Sequence, residues 1–289
     1  MRIAVSGYAN LDYVIGLAGA PQPNRTVLLS SRADAWPRPG GGPIYICAAI
    51  QRAGGVDVSL ISWVGSDLAG SDYVRHLAGL GLPTEGVARS LWGGTPICIL
   101  AYAPGGACYC LSEAMTTAEA EYDAGQLALI DAADWVCLTA QPAAAARAAL
   151  ERISERQYLI WAARDPAAFP EKLRRDLAAR ADLVVHSLGD RDFVAPYLAT
   201  TPGRPDRLVV ETHGAVGATL TTRGRTFRAP IEKAKRVKTN DPTGVGDTFV
   251  GGLLAALIAK REPLAAVRAG EAAAQGMLMA RNELTAART

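Results

Sequence analysis

Apolar positions along this chain come in short runs, neither strictly alternating nor long. Runs at residues 3–6, 58–63, 135–138, 158–161, 183–185 and 208–211 resemble strands buried on both faces of a parallel sheet. Alanine-rich stretches with helical spacing lie between most of them. The clearest are at 44–53, 73–80, 143–153, 170–180 and 190–198, each after a Pro, Gly, Ser or Asp start signal. Strand alternating with helix predicts an α/β fold whose mostly parallel sheet is covered by helices on both faces. Segments 26–36 and 95–111 break this rhythm. They are rich in β-formers, bounded by Gly and Pro, and have no helix between their strands. They predict a small antiparallel sheet projecting as a lid, so residues 1–289 read as one domain with a lid formed by about 12–38 and 93–112. Beyond residue 240 the pattern is helical, at 250–260 and 264–281, with a break at Pro263.

The start of that last region holds the densest candidate chemistry. Residues 240–253 read NDPTGVGDTFVGGL. Residues 225–237 are strand-like, and Phe249, Val250, Leu253, Leu254 and Leu257 recur at helical spacing, so Gly244, Val245 and Gly246 fall on a strand-to-helix turn. Unpaired amides at a helix start, with glycines that let the backbone approach a ligand, make this turn a candidate anion cradle. Asp247 follows in the first helical turn. Its carboxylate has a structural role available, complementing the helix dipole. It has a functional one as well, as general base for a hydroxyl attacking a phosphate held by the neighbouring amides. A dinucleotide fingerprint would instead follow the first strand and carry a third glycine where Phe249 stands, and no GxxxxGK[ST] loop occurs.

Composition narrows the partners. The chain has 289 residues, 49% of them hydrophobic, enough for a sizeable core. Its 30 basic and 28 acidic residues leave a net charge of +2, which gives no electrostatic footprint for nucleic acid or a membrane surface, so a small-molecule partner is expected. The five cysteines, at positions 47, 98, 108, 110 and 137, are scattered in a chain too large to need disulfide staples, which suggests a reducing cytoplasm. Cys108 and Cys110 form a CxC pair without a second ligand pair at zinc spacing, and packing is favoured over metal binding there. The N-terminus has too short an apolar run for a signal peptide, and no run approaches the roughly 18 residues of a membrane span. A cytoplasmic, unexported protein is expected. His76, His186 and His213 do not cluster by spacing and receive no role.

The DPTGVGDTF segment closely resembles the C-terminal signature of the ribokinase-type carbohydrate kinases, also called the phosphofructokinase B-type family. Other parts of the chain fall in that family's order. Asn10 and Asp12 in GYANLD look like its substrate-hydroxyl pair, and Gly40, Gly41 and Gly42 resemble its first signature, whose amides contact the sugar. Asp165 and Pro166 sit where the family has a DPN-like segment facing the phosphates. Thr212, Gly214 and Gly217 resemble its strand-turn near the nucleotide ribose and base, and Ala272, Ala273 and Gly276 its small residues beside the adenine. The resemblance implies a ribokinase-like three-layer α/β sandwich with a β lid and a homodimer formed lid to lid. It makes Asp247 the general base and the amides of Gly244, Val245 and Gly246 the anion hole. ATP would be accompanied by Mg²⁺, and Asp241 and Thr243 would lie near a monovalent-cation site, K⁺ in many members.

Two departures bear on the substrate. Tyr45 stands where the family often has Asn for the sugar, and either packs in its helix or closes the site against a larger or partly aromatic acceptor. Ser187, Leu188, Gly189 and Asp190 replace the NxxE element that positions Mg²⁺; Asp190 keeps the charge on a shorter side chain, able to hold the metal through water. The implied activity is an ATP-dependent kinase acting on a primary alcohol of a sugar or sugar derivative. A nucleoside acceptor is the alternative, kept open by Tyr45, Trp36 and Trp92, and a non-catalytic nucleotide or sugar sensor is a third reading.

Overall fold

Each apolar run becomes a strand in the computed structural model, which describes residues 1–90, 93–113, 120–164 and 169–286. The first half of the chain supplies β1 (Arg2–Ser6), β2 (Asn10–Leu17), β3 (Leu29–Arg32), β4 (Arg38–Gly40), α1 (Gly42–Ala53), β5 (Asp57–Gly65), α2 (Leu68–Gly79), β6 (Val87–Ser90), β7 (Ile97–Tyr102) and β8 (Cys108–Ser112). Next come α3 (Ala124–Asp131), β9 (Trp135–Leu138), α4 (Ala143–Arg152), β10 (Tyr158–Ala162), α5 (Glu171–Arg180), β11 (Leu183–Ser187) and α6 (Arg191–Thr200). The chain closes with β12 (Leu208–Thr212), β13 (Gly217–Thr222), β14 (Arg225–Pro230), α7 (Val245–Ile258) and α8 (Pro263–Ala286).

Among the described residues nine strands join in the order β14-β13-β12-β11-β10-β9-β1-β5-β6. From β12 through β6 every pairing is parallel, and only β13 and β14 run antiparallel to their neighbours. Neighbouring residues of a strand enter different cores. Ile3, Val5, Ile160 and Ala162 pack with α1, α2, α7 and α8, whereas Ala4, Leu159 and Trp161 pack with α3, α4, α5 and α6. Burial on both faces is why these strands read as continuous apolar runs. Helix α3 has no counterpart in the sequence reading. Its start is fixed by a capping box, in which Asp123 accepts from the Gln126 amide at 2.8 Å and Gln126 Oε1 accepts from the Asp123 amide at 3.2 Å. Pro263 opens α8, so the break after α7 falls where expected.

The lid differs from the all-antiparallel expectation. Its strands run β3-β2-β7-β8, with β4 also on β2, and the central pair β2–β7 is parallel, with Asp12 opposite Cys98. Between these strands the chain leaves the lid through α1, β5, α2 and β6 and then returns, and such a crossover joins strands in parallel. The segment at 26–36 keeps only Leu29–Arg32 as strand, and that at 225–237 keeps only Arg225–Pro230. Large apolar side chains face outward on the lid, with Leu28 72%, Leu29 58% and Leu111 61% exposed. No helix among the described residues is long and apolar enough to cross a membrane.

The parallel strands β1, β9, β10, β11 and β12 end on one edge of the main sheet. The residues at or just past those ends include Gly7, Thr139, Arg164, Ser187 and Thr212. In open α/β sheets that carboxyl edge is where ligands bind. The lid and the start of α7 lie over it.

Candidate active site

Helix α7 begins at Val245 behind Gly244, whose φ of 75° lies in the left-handed region that glycine adopts without strain. The ring of Tyr45 lies over the same residue, and a Cβ on Gly244 would fall 2.6 Å from it. Conformation and contact both demand glycine here. Asp247, in the first turn of α7, is 13% exposed at its side chain. Its Oδ1 lies 3.1 Å from Arg164 Nε, an ion pair by distance whose alignment makes no hydrogen bond, so that oxygen is buried without a hydrogen-bond partner. A Cβ on Gly42 would stand 3.4 Å from the same oxygen. The glycine run therefore abuts the carboxylate.

The acceptor side is built on β2 and β4. Their pairing sets Asn10 opposite Gly40 and Asp12 opposite Arg38. Asp12 is buried, Asn10 Nδ2 donates to its Oδ1, and a Cβ on Gly40 would overlap its carboxylate. Tyr73 OH donates to the Gly40 carbonyl at 2.9 Å and fixes the run from beneath. Burial raises the Asp12 carboxyl from 3.8 to about 6, against the Arg38 charge and the Asn10 hydrogen bond; the charges of Asp241 and Asp247 add to the rise. Asp12 and Asp247 thus share one electrostatic neighbourhood. Tyr45, on α1, has a buried hydroxyl without a hydrogen-bond partner and is pushed up to about 12, chiefly by burial.

Behind the turn opens a largely apolar cleft of about 310 Å³. Its walls include Thr212, Gly214, Gly217, Pro242, Gly246 and Phe249. The residues matched to the nucleotide ribose and base thus line it together. Helix α8 contributes Glu271, Ala274, Gln275 and Leu278 to this wall, whereas Ala273 and Gly276, expected beside the adenine, open onto a separate groove between α1, α7 and α8. The correction is a rotation of about one helical position, which an alanine on every side of α8 hides. Asp165 and Trp92 lie outside the described residues. Ser187 and Asp190 cap the turn after β11, with Ser187 Oγ donating to Asp190 Oδ2 at 2.6 Å, and register places Ser187 opposite Thr212 at the cleft.

Comparison with known proteins extends over nearly the full chain. Residues 3–284 match the pfkB family carbohydrate kinase profile. The chain belongs to the pfkB family. Ribokinase from Thermotoga maritima superposes with a TM-score of 0.75 at 18% identity, over 95% of this chain and 92% of that one. Ribokinase from Cryptococcus neoformans, solved with ADP, gives 0.75 at 19% identity, covering 93% and 92%. The Methanocaldococcus jannaschii nucleoside kinase gives 0.73 at 19%, covering 95% and 90%. In sequence, an adenosine kinase from Schizophyllum commune is 42% identical over 76 residues, which is 25% of this chain and only 21% of that protein.

Three arginines adjoin the candidate site, and the sequence pattern assigned none of them. Arg38 holds both Asp241 carboxylate oxygens, at 2.7 and 3.0 Å. Arg281 Nη1 donates to the Asp241 carbonyl at 2.7 Å and to the Thr243 carbonyl at 3.1 Å. Arg164 packs against Gly246, where a Cβ would collide with its guanidinium. Burial works against ionised Asp241, yet the hydrogen bond and charge of Arg38, helped by Arg281, hold its carboxyl below the ordinary range. One signal in the sequence was available for Arg38, which directly precedes the Pro39-Gly40 step. Glu271 was also missed. It is a buried carboxyl in the cleft wall, lifted from 4.5 to about 7 by burial, with Oε1 unpartnered.

No group of three or more His, Cys, Asp or Glu side chains among the described residues forms a ready metal site. The hard oxygens of Ser187 and Asp190 fit Mg²⁺ held through water, the way this ion usually accompanies nucleotide phosphates.

Proposed function

We propose that this chain is an ATP-dependent kinase that transfers the γ-phosphoryl group to a hydroxyl, a primary alcohol, of a sugar or sugar derivative. The observation that carries the reading is the meeting of Asp247, Asp12 and the glycine run at the N-terminus of α7. ATP would lie with its base in the cleft of Thr212, Gly214 and Gly217 and its γ-phosphate on the amides of Gly244 and Gly246; the Val245 amide, expected beside them, already donates to the Pro242 carbonyl at 3.2 Å. Ionised Asp12 accepts hydrogen bonds from two acceptor hydroxyls and orients the third toward the phosphate. Asp247 takes the proton of that hydroxyl as its oxygen bonds to phosphorus; the bond from phosphorus to the bridging oxygen breaks, and ADP leaves with the electron pair. The amides and the helix dipole stabilise the charge spread over the transferring group, and Arg164 beside Gly246 adds a positive charge at the same place. Asp190 and Ser187 would hold, through water, the Mg²⁺ that accompanies ATP, which would supply charge neutralisation on the phosphates.

A nucleoside acceptor is the second reading, favoured by the stretch shared with an adenosine kinase and by the aromatic residues Tyr45, Tyr13 and Trp36, the last two in edge contact at 4.9 Å. The test is ATP consumption against a panel of sugars, sugar acids and nucleosides. Turnover with a sugar supports the proposal, turnover confined to nucleosides moves it to the second reading, and nucleotide binding with no turnover on any acceptor replaces it with a non-catalytic sensor. The protein would work in the cytoplasm, where its thiols, including Cys98 and Cys110 with sulfurs 3.4 Å apart, stay reduced. It would pair as a homodimer through the exposed leucines of the lid, Leu28, Leu29 and Leu111.

A further inference from the structure

The turn that precedes α7 offers the oxygen ligands a monovalent cation would use: the carboxylate and carbonyl of Asp241, and the carbonyl and hydroxyl of Thr243. In this chain each of them already has a partner. Arg38 grips both carboxylate oxygens at 2.7 and 3.0 Å. Arg281 Nη1 sits among the remaining acceptors, 2.7 Å from the Asp241 carbonyl, 3.1 Å from the Thr243 carbonyl and 3.3 Å from Asp241 Oδ2. Tyr102 OH and Thr243 Oγ1 are hydrogen-bonded at 2.9 Å, and the Thr243 amide donates to Asp241 Oδ1 at 3.1 Å. Facing these oxygens is α8, whose backbone carbonyls at Arg281 are engaged within the helix and offer no further ligands. Two guanidinium groups beside the same oxygens also repel any third cation. A potassium site therefore does not fit the residues present.

We propose that Arg281, with Arg38 as its partner on Asp241, takes the place of the monovalent cation, so that the anion-binding turn is ordered by the chain itself and needs no potassium. A guanidinium suits the task. It is permanently charged, directs several N–H groups at fixed angles, and satisfies carbonyl and carboxylate oxygens together. Anchored on α8 and on the lid strand β4, the two arginines tie both elements to the turn beside Gly244. The proposal rests on reading residues 241–247 as the nucleotide-binding turn, but its test does not require the acceptor to be known.

MgADP affinity by calorimetry and the melting temperature are measured for the full chain in potassium chloride and in choline chloride at matched ionic strength. For the unmodified protein both readouts stay the same, affinity agreeing within about twofold. In Arg281→Ala, and in Arg281→Met, which keeps an apolar stem of similar length, MgADP binding weakens in choline. It recovers about tenfold in potassium, a typical size for coupling between two bound ligands. A tenfold potassium response in the unmodified protein overturns the proposal. So does a folded Arg281 variant whose affinity is as insensitive to potassium as the parent's. Should no acceptor ever be phosphorylated, the kinase reading fails while these two measurements still decide the role of Arg281.

Discussion

Asp12 is held between two demands. Substrate hydroxyls need it ionised, while burial raises its carboxyl from 3.8 to about 6. A carboxyl raised in this way binds its proton more tightly in the folded state than in the unfolded one. The stabilisation it gives is complete below 3.8 and is lost as pH rises through about 6. Near neutral pH the ionised group therefore costs the fold on the order of 3 kcal/mol, and Asp12→Asn is expected to melt higher than the parent there while losing acceptor binding. The same shift sets the activity profile. Below about 6, kcat/KM for the acceptor should fall by about tenfold per pH unit, and ATP affinity, which does not use Asp12, should stay level; a flat acceptor profile down to 4 would remove Asp12 from substrate binding.

At the scale of elements, the turn before α7 depends on Gly244. Its left-handed φ of 75° and the Tyr45 ring 2.6 Å from a would-be Cβ act together, so Gly244→Ala should cost about 1–3 kcal/mol in denaturant unfolding and weaken MgADP binding at once. This glycine was legible in the sequence because a helix start after a glycine-rich stretch is a local signal. So were the parallel strands, since burial on both faces writes itself as unbroken apolar runs. The β2–β7 pairing was not, because the strands that meet there are far apart in the chain and a crossover decides their direction. The cleft face of α8 was missed for a different reason. Ala272, Ala273 and Ala274 stand side by side, so hydrophobic spacing cannot say which of them faces the nucleotide.

Across the whole molecule, the least legible contacts are ionic. Arg38 and Asp241 are 203 positions apart, and only the closing of the lid over the sheet edge brings them together. The lid also exposes Leu28, Leu29 and Leu111; if the proposed lid-to-lid dimer forms through them, Leu111→Glu should shift the species seen by sedimentation from dimer to monomer, and a monomeric parent protein would dismiss the lid interface. All of these parts converge on one carboxylate. The decisive measurement is the turnover of Asp247→Asn beside its affinity for MgATP, using the acceptor found in the phosphorylation screen. A general base at this position predicts a kcat lower by about 10³-fold or more with nucleotide affinity within about twofold of the parent. Turnover within about tenfold of the parent would mean that the proton leaves by another route.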